Sequence, residues 1–177
     1  MKEPRLFKGS LQAAVEDAAS RSLSHRRVLY LHEKQTLKEI YAPSSGTKTN
    51  HPVTIFGHEA TCVGITSLAT SPDHQRILVS DSFASCVPVI AIGRTGTHLA
   101  HFNGIGLVEE CAAVWLKTHR LMIIQKSAMV RHSEVSALIC RLFQERGFAK
   151  AEIAAVPGIV GSIGVILKGA TAVVYPH

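Results

Sequence analysis

Thiols and imidazoles are the side chains that trade a proton near neutral pH, and one short ribbon of this chain holds both. It reads SDSFASCVPVIAIGRTGTHLAHFNG, residues 80–104. Cys86 opens an apolar run, a Gly-rich turn follows, and the returning run carries His98 and His101. A free thiol is mostly protonated near neutrality, so an imidazole that accepts its proton makes it a nucleophile. The imidazole then needs an oxygen on its other ring nitrogen. Ser80, Asp81, Ser82 and Ser85 crowd the same corner, and the backbone N–H groups of Ser85 and Cys86 are candidate oxyanion donors. The rival reading is a small buried hydrophobe at Cys86, with histidines that simply find carbonyls.

Strand periodicity sets which histidine can meet the sulfur. Side chains alternate faces, so loop length decides which positions share one. A two-residue loop at Gly93-Arg94 puts Cys86 directly opposite His101, and Gly93 suits the first central position of a type II′ turn. A loop shifted to Arg94-Thr95 sets His101 diagonally opposite, still on the face of Cys86. His98 lies three residues from His101, so it reaches that face only through an odd loop or a bulge near Thr95-Gly96. On periodicity His101 is the better partner and His98 the alternative.

The elements that must position this ribbon follow from pattern. Residues 6–23 read as a helix with Leu11, Ala14, Val15 and Ala18 at helical spacing. Val28 to Leu31 reads as a strand and PSSGTKTNHP, residues 43–52, as a loop. Strands are expected at 53–56, 60–65, 76–79, 87–92 and 98–102, with turns at Gly57-His58, Ser71-Pro72-Asp73 and residues 93–96. LVEECAAVWLKTH reads as helical, LMIIQ as a buried strand, and SEVSALICRLFQERGF as a helix with Ser133 at its N-cap and Gly147 as its stop. Strands around 153–156, 163–167 and 172–175 complete the chain. This order predicts one α+β domain over 1–177: a central, mostly antiparallel sheet or sandwich flanked by helices.

Composition bounds the function. At 177 residues, 46% hydrophobic and 18% charged, the chain is long and apolar enough for a continuous core. The first residues meet charge before any apolar run, so no secretory signal is expected. The longest uncharged stretch, Ile153 to Leu167, carries Pro157 and three glycines and is too short for a bilayer. The net charge of +6 is scattered, with Arg26-Arg27 the one adjacent basic pair. That argues against nucleic acid and for a surface that suits acidic partners. Cys62, Cys86, Cys111 and Cys140 form no CxxC, so free thiols are expected and no structural zinc.

Over roughly residues 78–104 the chain resembles the cysteine-hydrolase superfamily that includes cytotoxic necrotizing factor catalytic domains, Burkholderia lethal factor and the chemoreceptor glutamine deamidases. That superfamily shares a Thr, a small-residue loop and a Cys at a strand's start, then a His on the returning strand. Here Ser80 stands six residues before Cys86, FASC resembles the small-residue loop, His101 follows by fifteen, and HLAHFNG resembles the chemoreceptor deamidases' histidine strand. The lethal-factor spacing selects His98 instead. Two departures stand out: Ser80 replaces the usual Thr, and AVPGIVGSIG stands where a Gly-Gly-Ala strand motif marks chemotaxis enzymes.

The resemblance implies a protein glutamine deamidase of the bacterial toxin or effector kind. Cys86 is its nucleophile, His101 its base and Ser80 the hydroxyl that orients the ring. It needs no metal or cofactor, and its partner is a glutamine-bearing protein rather than nucleic acid or membrane; the basic surface would suit an acidic one. The expected location is cytoplasmic, or inside a host cell after delivery by a dedicated secretion machine. The same thiol chemistry also fits transglutamination, proteolysis or other amide hydrolysis. A non-enzymatic adaptor domain is the alternative from another class, and a metal site of Cys86, His98 and His101 the most distant one.

Overall fold

The computed structural model of the protein describes residues 3–20, 26–35, 37 and 49–177. Alternating apolar positions give strands with one face to pack, and here two sheets pack face to face. The larger runs β1 (Arg5–Leu6), β2 (Arg27–Tyr30), β12 (Thr171–Pro176), β11 (Ile163–Lys168), β6 (Ile77–Phe83), β4 (His58–Cys62), β3 (His51–Ile55). The smaller runs β10 (Ala151–Val156), β9 (Arg120–Lys126), β7 (Val87–Ile92), β8 (Gly96–Phe102), β5 (Leu68–Pro72). Both sheets are mixed: β1–β2, β2–β12, β4–β6 and β9–β10 are parallel and the other pairs antiparallel. With the helices α1 (Leu11–Ser20), α2 (Val108–Val114) and α3 (Val130–Glu145), the fold is α+β.

Three apolar layers result. Between the sheets, Leu78, Val165, Leu167 and Val174 of the larger sheet meet Ile90, Leu99, Met122 and Ile124 of the smaller. On the outer face of the larger sheet lies α1, whose stripe of Leu11, Ala14, Val15 and Ala18 packs on Ile166 and Val173. On the outer face of the smaller sheet, Val89, Ala91, Ala100 and Phe102 are covered by Cys111 of α2, by Trp115, and by Ile139 and Phe143 of α3. Covered on both faces, β7 is buried at every position, so its sequence VPVIAI runs apolar without alternation.

Several elements differ from the sequence expectation. The helix read over 6–23 begins only at Leu11, because Ser10 accepts the Ala13 N–H at its N-terminus and Leu6 joins β1 beside β2; residues 21–23 lie outside the described residues. Of the loop read over 43–52, residues 43–48 also lie outside them, while His51 and Pro52 open β3. β4 stops at Cys62, and its hairpin with β3 turns at Phe56-Gly57, both at positive φ, one residue before the expected turn. Ser71 and Pro72, expected in a turn, instead end the edge strand β5, LATSP, and the chain turns at Asp73-His74, both at positive φ. α2 ends at Val114 instead of running through LKTH, and α3 starts at Val130, so Ser133 lies inside its first turn and the N-cap is Met129. Gly147 does stop α3, at φ +92.

Candidate functional site

A bulge in β6 builds the corner. Against β11, Ser80 pairs with Val165 but Phe83 pairs with Ile163, so β6 carries one extra residue there, with Ser82 at φ 63. A bulge resets the in/out alternation. Ile77 and Val79 face α1's side, Leu78 and Ser80 face the second sheet, and beyond the bulge Phe83 faces it again. Without the extra residue, Phe83 would point away from the interlayer.

The β7–β8 hairpin supplies the other half. Gly93 N–H bonds Gly96 O at 2.9 Å, so the loop is Arg94-Thr95 and the ladder pairs Val87 with Phe102 and Pro88 with His101. This is the shifted register, not the loop at Gly93-Arg94 with its direct Cys86–His101 pairing. Cys86 lies just before β7, on the interlayer face and diagonal to His101. His98 points to the opposite face, where its Nδ1 bonds Thr70 Oγ1 at 2.8 Å and its ring lies beside Trp115 and His119.

Ser80 and His101 meet across the two sheets. Ser80 Oγ lies 2.8 Å from His101 Nδ1 and 2.7 Å from Val63 O. A carbonyl only accepts, so the single hydroxyl proton goes to Val63 and Ser80 Oγ must accept from Nδ1–H. That assignment fixes the neutral tautomer with a bare Nε2. Burial pushes the His101 pKa down to about 4, which keeps the ring neutral at pH 7. Phe83 stacks on the imidazole at 3.9 Å between centroids and 18° between planes, fixing its tilt. His101 is fully buried, and among the described residues its Nε2 has no hydrogen-bond partner, the Cys86 sulfur included.

Cys86 itself is 8% exposed and belongs to the interlayer core, so the sulfur is not open to solvent in the resting protein. Burial raises its thiol pKa, while the Lys126 ammonium and a Ser85 hydroxyl hydrogen bond pull it down. Resting thiol and imidazole are therefore both neutral. Beside them opens a cleft of about 620 Å³, lined by Ala84 and Ser85, by Asn103 and Gly104 after β8, by Gly161 and Ser162 before β11, and by Arg131 and His132 of α3. Ser85, whose N–H is one of the expected oxyanion donors, is in its wall.

Two residues of this corner escaped the sequence reading. Lys126 ends β9, is fully buried, and donates from Nζ to Phe83 O (3.0 Å), Ala84 O (2.5 Å) and Gly161 O (2.8 Å). His132 Nδ1 accepts the Lys126 N–H at 3.0 Å, which leaves Nε2–H to donate to Cys86 O at 2.9 Å. The one available signal was a lysine in register with the buried face at the end of the strand LMIIQK.

The remaining cysteines are buried thiols outside any disulfide, with the Cys111 thiol pushed up to about 12 by burial first and Glu110 second. Among the described residues no cluster of three or more His, Cys, Asp or Glu could hold a metal ion, so Cys86, His98 and His101 do not form one; the two histidines lie on opposite faces. No helix among the described residues is long and apolar enough to cross a membrane. The chain matches no model of a known protein family and no curated protein.

Proposed function

We propose that the protein is a cysteine-dependent glutamine deamidase acting on a partner protein, with Cys86 as nucleophile, His101 as base and Ser80 as the hydroxyl that holds the ring. One observation carries this reading: the Ser80–His101 bond leaves a bare, unpartnered Nε2 on the face that Cys86 shares. Diagonal strand neighbours stand about 7–8 Å apart, a span that long side chains bridge. The reading requires that rotation of the Cys86 side chain bring its thiol proton to that nitrogen, the imidazole spanning most of the distance.

The chemistry follows from those atoms. The sulfur attacks the carboxamide carbon of a glutamine in the cleft as its proton passes to His101 Nε2. The Ser85 and Cys86 N–H groups hold the oxyanion. Collapse breaks the C–N bond, and the nitrogen takes the proton from His101 and leaves as ammonia. Water, deprotonated by His101, then attacks the thioester, releasing glutamate and restoring the thiol. Exposed Val160 lines the cleft with Arg131, a rim that suits an apolar segment bearing a carboxylate. An acidic effector target fits that rim.

The burial of Cys86 among apolar residues favours a second reading, an inert thiol in a binding domain. One experiment separates the two. The protein is incubated with host-cell extract, and glutamines converted to glutamate are read by mass spectrometry together with ammonia release. Deamidation should vanish with Cys86→Ala, fall about 100-fold or more with His101→Ala, and change less than about threefold with His98→Ala. Equal loss with His98→Ala, or conversion that survives Cys86→Ala, overturns the reading. Isopeptide cross-links in place of glutamate, with the same release of ammonia, redirect it to transglutamination.

A further inference from the structure

We infer that Lys126 is the positioning residue of the nucleophile loop: its buried ammonium grips the carbonyls of Phe83 and Ala84, and so turns the Ser85 N–H out toward the cleft as an oxyanion donor. This deepens the proposed deamidase reading and rests on it for the word oxyanion; the grip itself does not.

Lysines are almost never fully buried without partners, because desolvating an ammonium is costly. Here all three Nζ hydrogens find carbonyls, two in the segment leading to Cys86 and one, Gly161 O, in the loop across the cleft. One side chain thus ties together two walls of the same cleft. A trans peptide is planar, with its C=O and N–H pointing in opposite directions. The Ala84 carbonyl aimed inward at Lys126 therefore directs the N–H of the same plane, that of Ser85, outward. The next carbonyl but one, that of Cys86, is taken by His132, whose ring is in turn set by the Lys126 N–H. The backbone and side chain of Lys126 together fix residues 83–86.

The ammonium also shapes the thiol. The titratable groups facing Cys86 are Lys126 from β9, His132 from α3 and His101 from β8. Lys126 is the cation whose field favours the thiolate, and the coupling is reciprocal: the thiolate raises the lysine pKa that burial lowers.

The test needs no substrate. Iodoacetamide alkylation of Cys86 is followed by peptide mass spectrometry across pH, alongside hydrogen exchange of the segment 83–86. Lys126→Met should move the alkylation midpoint up by about one pH unit and speed exchange in that segment about tenfold or more. A folded Lys126→Met protein with both readouts unchanged overturns the inference. Should that variant fail to fold, the wild-type protein labelled with 15N-lysine decides: the Lys126 Nζ resonance should step at the Cys86 midpoint and lose that step in Cys86→Ser. No step overturns the inference as well. If these hold while extract deamidation survives Cys86→Ala, the deamidase reading falls and the grip stands.

Discussion

Replacing Ser80 by alanine tests the logic of the corner most directly. Ser80 is fully buried, and its hydroxyl serves Val63 O and His101 Nδ1 at once. Ser80→Ala leaves a carbonyl and a ring N–H in the interlayer without partners. An orphaned buried polar group costs about 1–3 kcal/mol, and the ring recovers part of that by changing tautomer. The expected loss is therefore about 2–4 kcal/mol in unfolding free energy. In a chain of this size that is a drop of about 5–15 °C in melting temperature. Urea titration reads the stability, and long-range 1H–15N correlation reads the ring. In the wild-type protein at pH 7, His101 should carry its proton on Nδ1; in Ser80→Ala it should not be confined there. Ser80→Thr keeps the oxygen and should keep the tautomer even where its extra methyl costs stability. A wild-type ring protonated on Nε2, or an alanine variant within about 0.5 kcal/mol of wild type, refutes both the hydrogen-bond assignment and the base that depends on it.

Acid should destabilise the fold in a defined window. The unfolded chain binds a proton at His101 near the ordinary value of 6.5, whereas the folded protein, with that pKa pushed down to about 4 by burial, does not. Stability is then complete above the unfolded value and falls as pH drops toward the folded one, by about 2 kcal/mol between pH 7 and 5 from His101 alone. His98, also held at about 4 by burial and by neighbouring His119 and His74, adds a smaller share because it is partly solvated. Urea midpoints at pH 7, 6 and 5 should fall in step and flatten in His101→Gln; a constant midpoint contradicts the burial of a neutral ring. At the other sheet face, a Cβ on Gly164 would stand 2.2 Å from Tyr175 Cζ, inside a fully packed layer. Gly164→Ala should cost about 3 kcal/mol by thermal melt, partly recovered by adding Tyr175→Leu; a neutral alanine shows that the layer yields.

Much of the frame is legible in the residues. The apolar run VPVIAI, the stripe on α1 and the glycine after α3 each state their element through local patterning that tertiary contacts reinforce. Less legible were the pieces whose conformation is imposed from outside. β5 is a strand because β8 offers it an edge, and not because LATSP favours one. α2 stops early because Trp115 turns to extended backbone and buries its ring against Phe143, where helical spacing would have carried the chain on.

Local chemistry named the participants: a thiol and two imidazoles on a hairpin and a hydroxyl just before it, with strand alternation alone separating His98 from His101 by face. Only the assembled sandwich decided how they meet. The bulge that turns Phe83 onto the ring, the Ser80 hydroxyl arriving from the opposite sheet, and the lysine reaching from β9 into two loops all join residues 18 to 43 positions apart. Such contacts arise from the packing of two separately formed surfaces, and no spacing within either strand records them.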